Sequence, residues 1–259
     1  MRNTNSMKKI IDFIVKENRK LNENMFLLSL YAEELPPLLP GQFVNVKVED
    51  SPATFLRRPL SVHDVDEQNG LLFLLIKIAG PGTQKLAQLK ANEKLNIILP
   101  LGNSFSIPQS GRCLLIGGGV GIAPLLHLSK EMHKKGVTPD LLIGVRSKKD
   151  IVLEESFGRY ARLYYTTEDG SYGEKGYPTQ HSLLSEHYDH IFCCGPDLMM
   201  KAVAKHASAH HINCEVSLEN LMACGIGACL CCVTDTTSGH QCVCTAGPVF
   251  NIKDLKWQI

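Results

Sequence analysis

Six of the chain's ten cysteines, Cys224, Cys229, Cys231, Cys232, Cys242 and Cys244, fall within 21 residues of one another. Four residues separate Cys224 from Cys229, two separate Cys229 from Cys232, and eleven separate Cys232 from Cys244. A run this dense restricts the local fold more than any other stretch of the sequence, because a loop that brings several thiols together must bend tightly around whatever they hold. The arrangement C-x4-C-x2-C…C is the spacing of plant-type [2Fe–2S] sites. Gly225 and Gly227 lie inside the first interval, where a wrapping loop needs positive φ angles and close backbone approach. Zinc is the competing reading, since four thiolates also satisfy a tetrahedral ion, although zinc ribbons pair two short cysteine knuckles and this stretch has one glycine-rich loop. Cys231 and Cys242 are surplus to a four-thiol site and read as small buried or exposed thiols.

The remaining composition narrows the setting. Lys plus Arg come to 27 against 26 for Asp plus Glu, and a net charge of +1 offers no electrostatic case for nucleic acid or an acidic membrane. The apolar stretches 71–79 and 113–128 fall short of about 20 unbroken apolar residues, and the N-terminus lacks the apolar core of a signal peptide. A cytoplasmic chain is expected, where thiols stay reduced and clustered cysteines serve metal or redox chemistry.

Three regions differ in pattern. Short β-rich runs at 25–31, 42–48, 71–78 and 94–99, punctuated by Pro36, Pro37, Pro40, Gly41 and Gly80 to Gly82, predict an antiparallel barrel or sandwich. From about 107 to 210, apolar runs at 113–116, 141–145, 162–166 and 191–194 alternate with helical segments, the pattern of a parallel α/β sheet. Beyond 212 the chain is too irregular for periodicity to assign. The expected fold is an α+β multidomain one: an N-terminal antiparallel β-barrel (1–105), a central Rossmann-like parallel α/β domain (106–211) and a small C-terminal iron–sulfur lobe (212–259).

Two motifs suggest dinucleotides. Arg58-Pro59-Leu60-Ser61 ends a segment of the first region; an Arg suits pyrophosphate oxygens and a Ser hydroxyl suits a flavin. Gly82 and Thr83 follow a β run and open a helix, either as a second phosphate contact or as a simple turn with Thr83 capping. In the second region Gly117, Gly118, Gly119 and Gly121 precede Pro124 and a helix, departing from G-x-G-x-x-G at its last position but still allowing backbone approach to a pyrophosphate. Cys194-Gly195-Pro196 follows the strand at 191–194 and places a thiol where such sheets bind ligands. Arg146, Lys148 and Lys149 are candidates for a 2′-phosphate or a solvated turn.

In this order the motifs resemble the ferredoxin–NADP reductase superfamily over about residues 10–210. The tail from Ser217 through Cys224 and Cys229 to Cys244-Thr245-Ala246-Gly247-Pro248 resembles the electron-transfer subunits of class B dihydroorotate dehydrogenases. That resemblance implies FAD held by Arg58, Pro59, Leu60, Ser61, Leu75, Ile76, Lys77, Gly82 and Thr83. It implies NAD at Gly117, Gly118, Gly119, Gly121, Pro124, Gly195 and Pro196, and a [2Fe–2S] cluster on Cys224, Cys229, Cys232 and Cys244. Cys194 becomes the catalytic-site thiol, orienting the nicotinamide rather than attacking it. The implied partner is an FMN-containing catalytic subunit in a heterotetramer of two catalytic and two electron-transfer chains. Electrons from dihydroorotate then pass through cluster and FAD to NAD⁺ in pyrimidine biosynthesis. Two departures stand out: Leu60 where wider superfamily members carry Tyr, and a Cys232–Cys244 interval shorter than expected. The alternatives are a flavin subunit of another NAD(P)H-linked ferredoxin oxidoreductase or a hydrogenase, and a zinc-stabilised adaptor without catalysis.

Overall fold

In the computed structural model, which describes residues 7–257, period-two burial over the first hundred residues builds one curled antiparallel sheet. Its strands are β1 (Lys9–Lys20), β2 (Met25–Tyr31), β3 (Phe43–Val46), β4 (Arg58–Ser61), β5 (Asp64–Asp66), β6 (Leu71–Lys77) and β7 (Lys94–Leu101), in the order β4-β3-β7-β1-β2-β6-β5. The inward positions Phe13, Val15, Leu28, Val44, Val46, Leu72, Leu74 and Ile97 are fully buried. The two edges, β4 and β5, are consecutive in sequence. Between them the Val62 amide donates to Gln42 (3.0 Å) and the His63 amide to Phe73 (3.0 Å), so one segment bonds to both ends of the sheet and holds its curl. A short helix α1 (Pro81–Leu86) leads from β6 toward β7. Sequence patterning misses β1. Its alternation is broken by a register shift between Val15 and Glu17, and its outward positions are largely charged.

The second sheet comprises β8 (Cys113–Gly118), β9 (Asp140–Val145), β10 (Arg162–Thr167), β11 (Glu174–Lys175), β12 (His190–Cys194) and β13 (Asn213–Ser217), all parallel. Alternate side chains serve opposite faces. Leu115, Leu141, Ile143 and Phe192 pack with α2 (Leu125–Lys134), whereas Leu114, Ile116, Leu142 and Ile191 pack with α4 (Asp197–Ala209). The short helix α3 (Glu154–Gly158), between β9 and β10 in the chain, adds Phe157 to the α2 core. The order β11-β10-β9-β8-β12-β13 reverses direction between β8 and β12. Sheets of this kind bind ligands outside the carboxyl ends of their strands at such a reversal.

The region after 212 is more ordered than its irregular sequence suggests. It supplies β13 and, after a hairpin of β14 (Val233–Thr236) and β15 (Gly239–Cys242) and a turn of helix α5 (Val243–Ala246), the strand β16 (Val249–Asn251). β16 pairs antiparallel with β13 at the sheet's edge, so the cysteine-bearing lobe is an excursion between two strands of the central sheet. Phe43 and Leu101 of the first sheet share a core with Cys232, Val243 and Cys244. Asn103 secures the junction: its Nδ2 donates to Ala246 and Val249 (both 2.8 Å) and its Oδ1 accepts from the Val249 amide at 2.9 Å. Among the described residues no helix is long and apolar enough to cross a membrane.

Two buried polar groups join these parts. Asp140, fully buried at the start of β9, accepts from Arg162 Nε (2.6 Å), Tyr188 Oη (2.9 Å) and Arg112 (3.2 Å). Burial opposes its charge, but Arg162 and Tyr188 outweigh it and hold the carboxyl below the ordinary range. Removing the charge with Asp140→Asn leaves two arginines without their shared anion, so chemical denaturation is expected to show a loss of about 3 kcal/mol. Dinucleotide affinity should be unchanged, because Asp140 sits at the opposite ends of the strands from the glycine turns.

His63 couples the curled sheet to α2: its Nδ1 donates to the Ala123 carbonyl at 2.8 Å, its own carbonyl accepts from the His127 amide, and Lys130 pairs with Asp64 at 2.8 Å. Burial pushes both His63 and His127 down to about 4. Both rings are therefore neutral when folded and take up protons on unfolding near the ordinary value of about 6.5. Their contribution is complete above that pH and is lost as pH falls toward 4, on the order of 3 kcal/mol for each. Urea midpoints followed by circular dichroism should fall from pH 6.5 to 5, and the decline should be shallower in His63→Asn.

Candidate redox site

The cysteine loop follows directly from β13. Gly225 and Gly227 adopt left-handed backbone angles (φ 70° and 91°), a geometry open to glycine without steric penalty. With the loop so bent, amides point at sulfur. Ile226, Ala228 and Cys229 donate to Cys224 Sγ at 3.4, 3.3 and 3.4 Å, and the Cys224 amide donates to Cys229 Sγ at 3.4 Å. Burial works against ionisation of Cys224, but these amides and the Cys229 thiol prevail and draw it down to about 6. The Cys244 amide donates to Cys232 Sγ at 3.4 Å, and the two thiols also touch; burial, then that contact, pushes Cys244 up to about 12.

The thiols thus come in two pairs, Cys224 with Cys229 and Cys232 with Cys244. Among the described residues no three metal-binding side chains converge on a single ion. Two pairs, each suited to one iron, with amides already directed at the sulfurs, fit a binuclear cluster better than one zinc tetrahedron. Of the surplus thiols, exposed Cys231 turns to the Leu221 carbonyl at 3.7 Å. Cys242 is half-buried at the end of β15 and also reaches Cys232, whereas Cys244 is buried and faces the Gly227 amide.

The flavin motif forms the edge strand β4, half-buried along its whole length. Val44 pairs with Leu60 and Asn45 with Pro59. The Arg58 side chain lies across the first turn of α1: a Cβ at Gly82 would fall 2.7 Å from its Nε, so a larger residue there would displace the guanidinium. Thr83 spends its hydroxyl locally, accepting from the Ala79 and Gly80 amides at 2.8 and 3.1 Å. On β6, the side chains of Leu75 and Ile76 are buried in the α2 core and the curled sheet respectively, while Lys77 is exposed.

The glycines after β8 and the segment after β12 meet at the strand reversal. A Cβ at Gly121 would lie 2.3 Å from the Cys194 carbonyl, and one at Gly118 would lie 2.8 Å from Pro196. Pro124 caps the start of α2 and Gly195 takes φ 150°. Gly119, by contrast, faces open space. Cys194 is fully buried, with its thiol 3.9 Å from Glu219 Oε1. Burial and then Glu219 raise it well above the ordinary thiol range, so it remains protonated and is no nucleophile. Cys193 faces the opposite side, in the core.

Sequence reading missed Glu219. It is open to solvent yet walled by protein on most sides, and its carboxyl is raised by burial against the opposing pull of Cys194 and Lys77. Its one local signal is its place five residues before Cys224. Its position ties the nicotinamide end of the sheet, the flavin sheet through Lys77 and the cysteine loop to one short stretch of chain.

Comparison with known proteins agrees with this division. Residues 12–105 match an oxidoreductase FAD-binding domain, residues 115–205 an oxidoreductase NAD-binding domain, and residues 219–256 the iron–sulfur cluster binding domain of dihydroorotate dehydrogenase B. Among solved structures, an NADH-dependent reduced ferredoxin–NADP oxidoreductase superposes with TM-score 0.85 at 29% identity, covering 95% of this chain and 90% of that one. The ferredoxin reductase of carbazole 1,9a-dioxygenase shares the fold at 21% identity and TM-score 0.69, over 80% of this chain and 68% of its own. The electron transfer subunit of dihydroorotate dehydrogenase B (NAD⁺) from Clostridium perfringens is 39% identical over 92% of this chain and 94% of its own length. The Fusobacterium nucleatum subunit of the same name is 33% identical over 96% and 99%. The chain belongs to the family of dihydroorotate dehydrogenase B (NAD⁺) electron transfer subunits.

Proposed function

We propose that this chain relays electrons from the FMN of a dihydroorotate-oxidising catalytic subunit, through a [2Fe–2S] cluster and FAD, to NAD⁺ in pyrimidine biosynthesis. The observation that carries this reading is the pairing of Cys224 with Cys229 and of Cys232 with Cys244 in a lobe packed against both sheets. When bound, the three groups supply one-electron transfer at the iron and hydride exchange between flavin and nicotinamide. The protein positions and insulates them.

In this reading Cys224, Cys229, Cys232 and Cys244 hold the cluster, and the loop amides compensate its charge. Arg58 meets the FAD pyrophosphate beside Gly82 and Thr83, while Pro59, Leu60 and Ser61 line the isoalloxazine, with Leu60 giving an aliphatic surface in place of an aromatic stack. Leu75, Ile76 and Lys77 border the same groove. Gly117, Gly118, Gly119, Gly121 and Pro124 admit the NAD pyrophosphate to the start of α2, and Gly195 and Pro196 shape the nicotinamide end. Cys194 and Glu219 orient the ring, Cys194 as a neutral thiol.

The curled sheet acts as the flavin barrel of residues 1–105 and residues 106–211 as the nicotinamide domain. From 212–259 comes the cluster lobe, with 213–217 and 249–251 completing the central sheet. Exposed Leu221, Ile226, Leu230 and Val233 surround the cysteine loop, and apolar surface in such a place supports a covering partner. A cytoplasmic heterotetramer of two catalytic and two electron-transfer chains is the assembly this implies.

Copurification with the catalytic subunit tests the reading: dihydroorotate-dependent NAD⁺ reduction should require this chain, and its absence from the reconstituted pair would refute the relay. Cys244→Ser should abolish the visible and paramagnetic signature of the cluster, whereas Cys242→Ser should retain it. Glu219→Gln should slow NADH-driven flavin reduction on the order of 10²-fold, the cost of misplacing a reacting group by about 1 Å, while the cluster spectrum stays unchanged.

A further inference from the structure

Two asparagines join the first sheet to the cysteine lobe, and they differ in one respect. Asn103 has partners for both ends of its carboxamide. Asn45 does not. It is 1% exposed on β3, and its Nδ2 donates to the Cys224 carbonyl at 3.1 Å, yet among the described residues its Oδ1 has no hydrogen-bond partner. Turning the carboxamide over would set Oδ1 against the Cys224 carbonyl, so the orientation is fixed. The contact is close: a Cβ at Gly225 would lie 2.6 Å from Nδ2.

An unmatched buried amide oxygen is a net cost to folding. A side chain kept solely to fasten the lobe would be better as an apolar residue, since Phe43, on the same face of β3, packs beside Cys232 and Cys244. What Asn45 adds is a donor aimed at the main chain of the first loop cysteine. It comes from a residue paired across the ladder with Pro59 of the flavin motif.

We infer that Asn45 is a positioning residue for electron transfer, pinning the carbonyl of Cys224 to the β3–β4 pair and tuning the cluster that Cys224 helps to hold. The inference rests on the assignment of Cys224 as a ligand. The positive end of the carboxamide dipole faces the loop and favours the more negatively charged, reduced cluster; removing it favours the oxidised one.

The test is a redox titration of the full chain, loaded with FAD and cluster and followed by electron paramagnetic resonance, with thermal unfolding in parallel. Asn45→Leu should shift the cluster's one-electron reduction equilibrium about tenfold toward the oxidised form, or about 59 mV, with an unfolding midpoint that does not fall. Asn45→Asp, of the same shape, should shift it further in the same direction. Asn103→Ala should lower the unfolding midpoint and leave the potential in place. If both Asn45 variants keep the parental potential, or if they only destabilise as Asn103→Ala does, Asn45 is a structural clamp and the inference is overturned. If Cys224→Ser retains the parental cluster signal, the ligand assignment falls and this inference with it; loss of that signal beside an unmoved potential in the Asn45 variants overturns the inference alone.

Discussion

Thiolates crowded into one loop repel one another, and the rest of this molecule depends on how that repulsion is met. Here the answer is main-chain amides. Three of them converge on Cys224 and one on Cys232, and they do so because Gly225 and Gly227 occupy backbone angles that side chains with a Cβ resist. An amide costs no charge of its own and cannot move away, so the loop is prepared for anionic sulfur before any metal arrives. Solvent-exposed lysines in the same place would neutralise charge less directionally and would be screened by salt.

Such a loop has little apolar surface with which to stabilise itself, so its fixed shape comes from its surroundings. The topology supplies them. The lobe leaves the central sheet at β13 and returns to it at β16, with both ends held in one ladder, while Phe43 and Leu101 close over Val243 and Cys244 from the other sheet. Residues fixed at both ends lose far less freedom on ordering than a terminal tail would. A lobe held by both sheets has a fixed place relative to each of them.

Much of this was legible from residues alone. The apolar runs at 113–116, 141–145 and 191–194 are fully buried strands, and continuous apolar runs separated by helices have few other solutions. The crowding of Cys224, Cys229 and Cys232 was legible because spacing along a loop is local, and the fold places Cys224 beside Cys229. What escaped was whatever depended on distant partners. β1 hides its alternation behind charged outward positions and a bulge. β13 and β16 are five and three residues long, too short to show a period, and become strands only through pairing with each other and with β12. Glu219 gave no motif, since its significance lies in Cys194 and Lys77, which approach it from other elements. The Thr83 hydroxyl was equally ambiguous; in the fold it accepts from the Ala79 and Gly80 amides from the third position of α1.

The cysteines themselves show why composition cannot assign chemistry. Cys224 and Cys194 are the same side chain in one protein, yet one is drawn down to about 6 and the other is raised well above the ordinary range. Both sites oppose ionisation by burial. The difference is that Cys224 receives three amide donors, whereas Cys194 has the carboxyl of Glu219 beside it and a carbonyl packed onto Gly121. Donors stabilise the anion and a neighbouring carboxylate does the reverse. The loop is thereby suited to metal, whereas the strand end keeps a neutral, buried thiol. That separation needs no difference in residue type, only the glycine-directed turn of the backbone in one place and the parallel strand in the other.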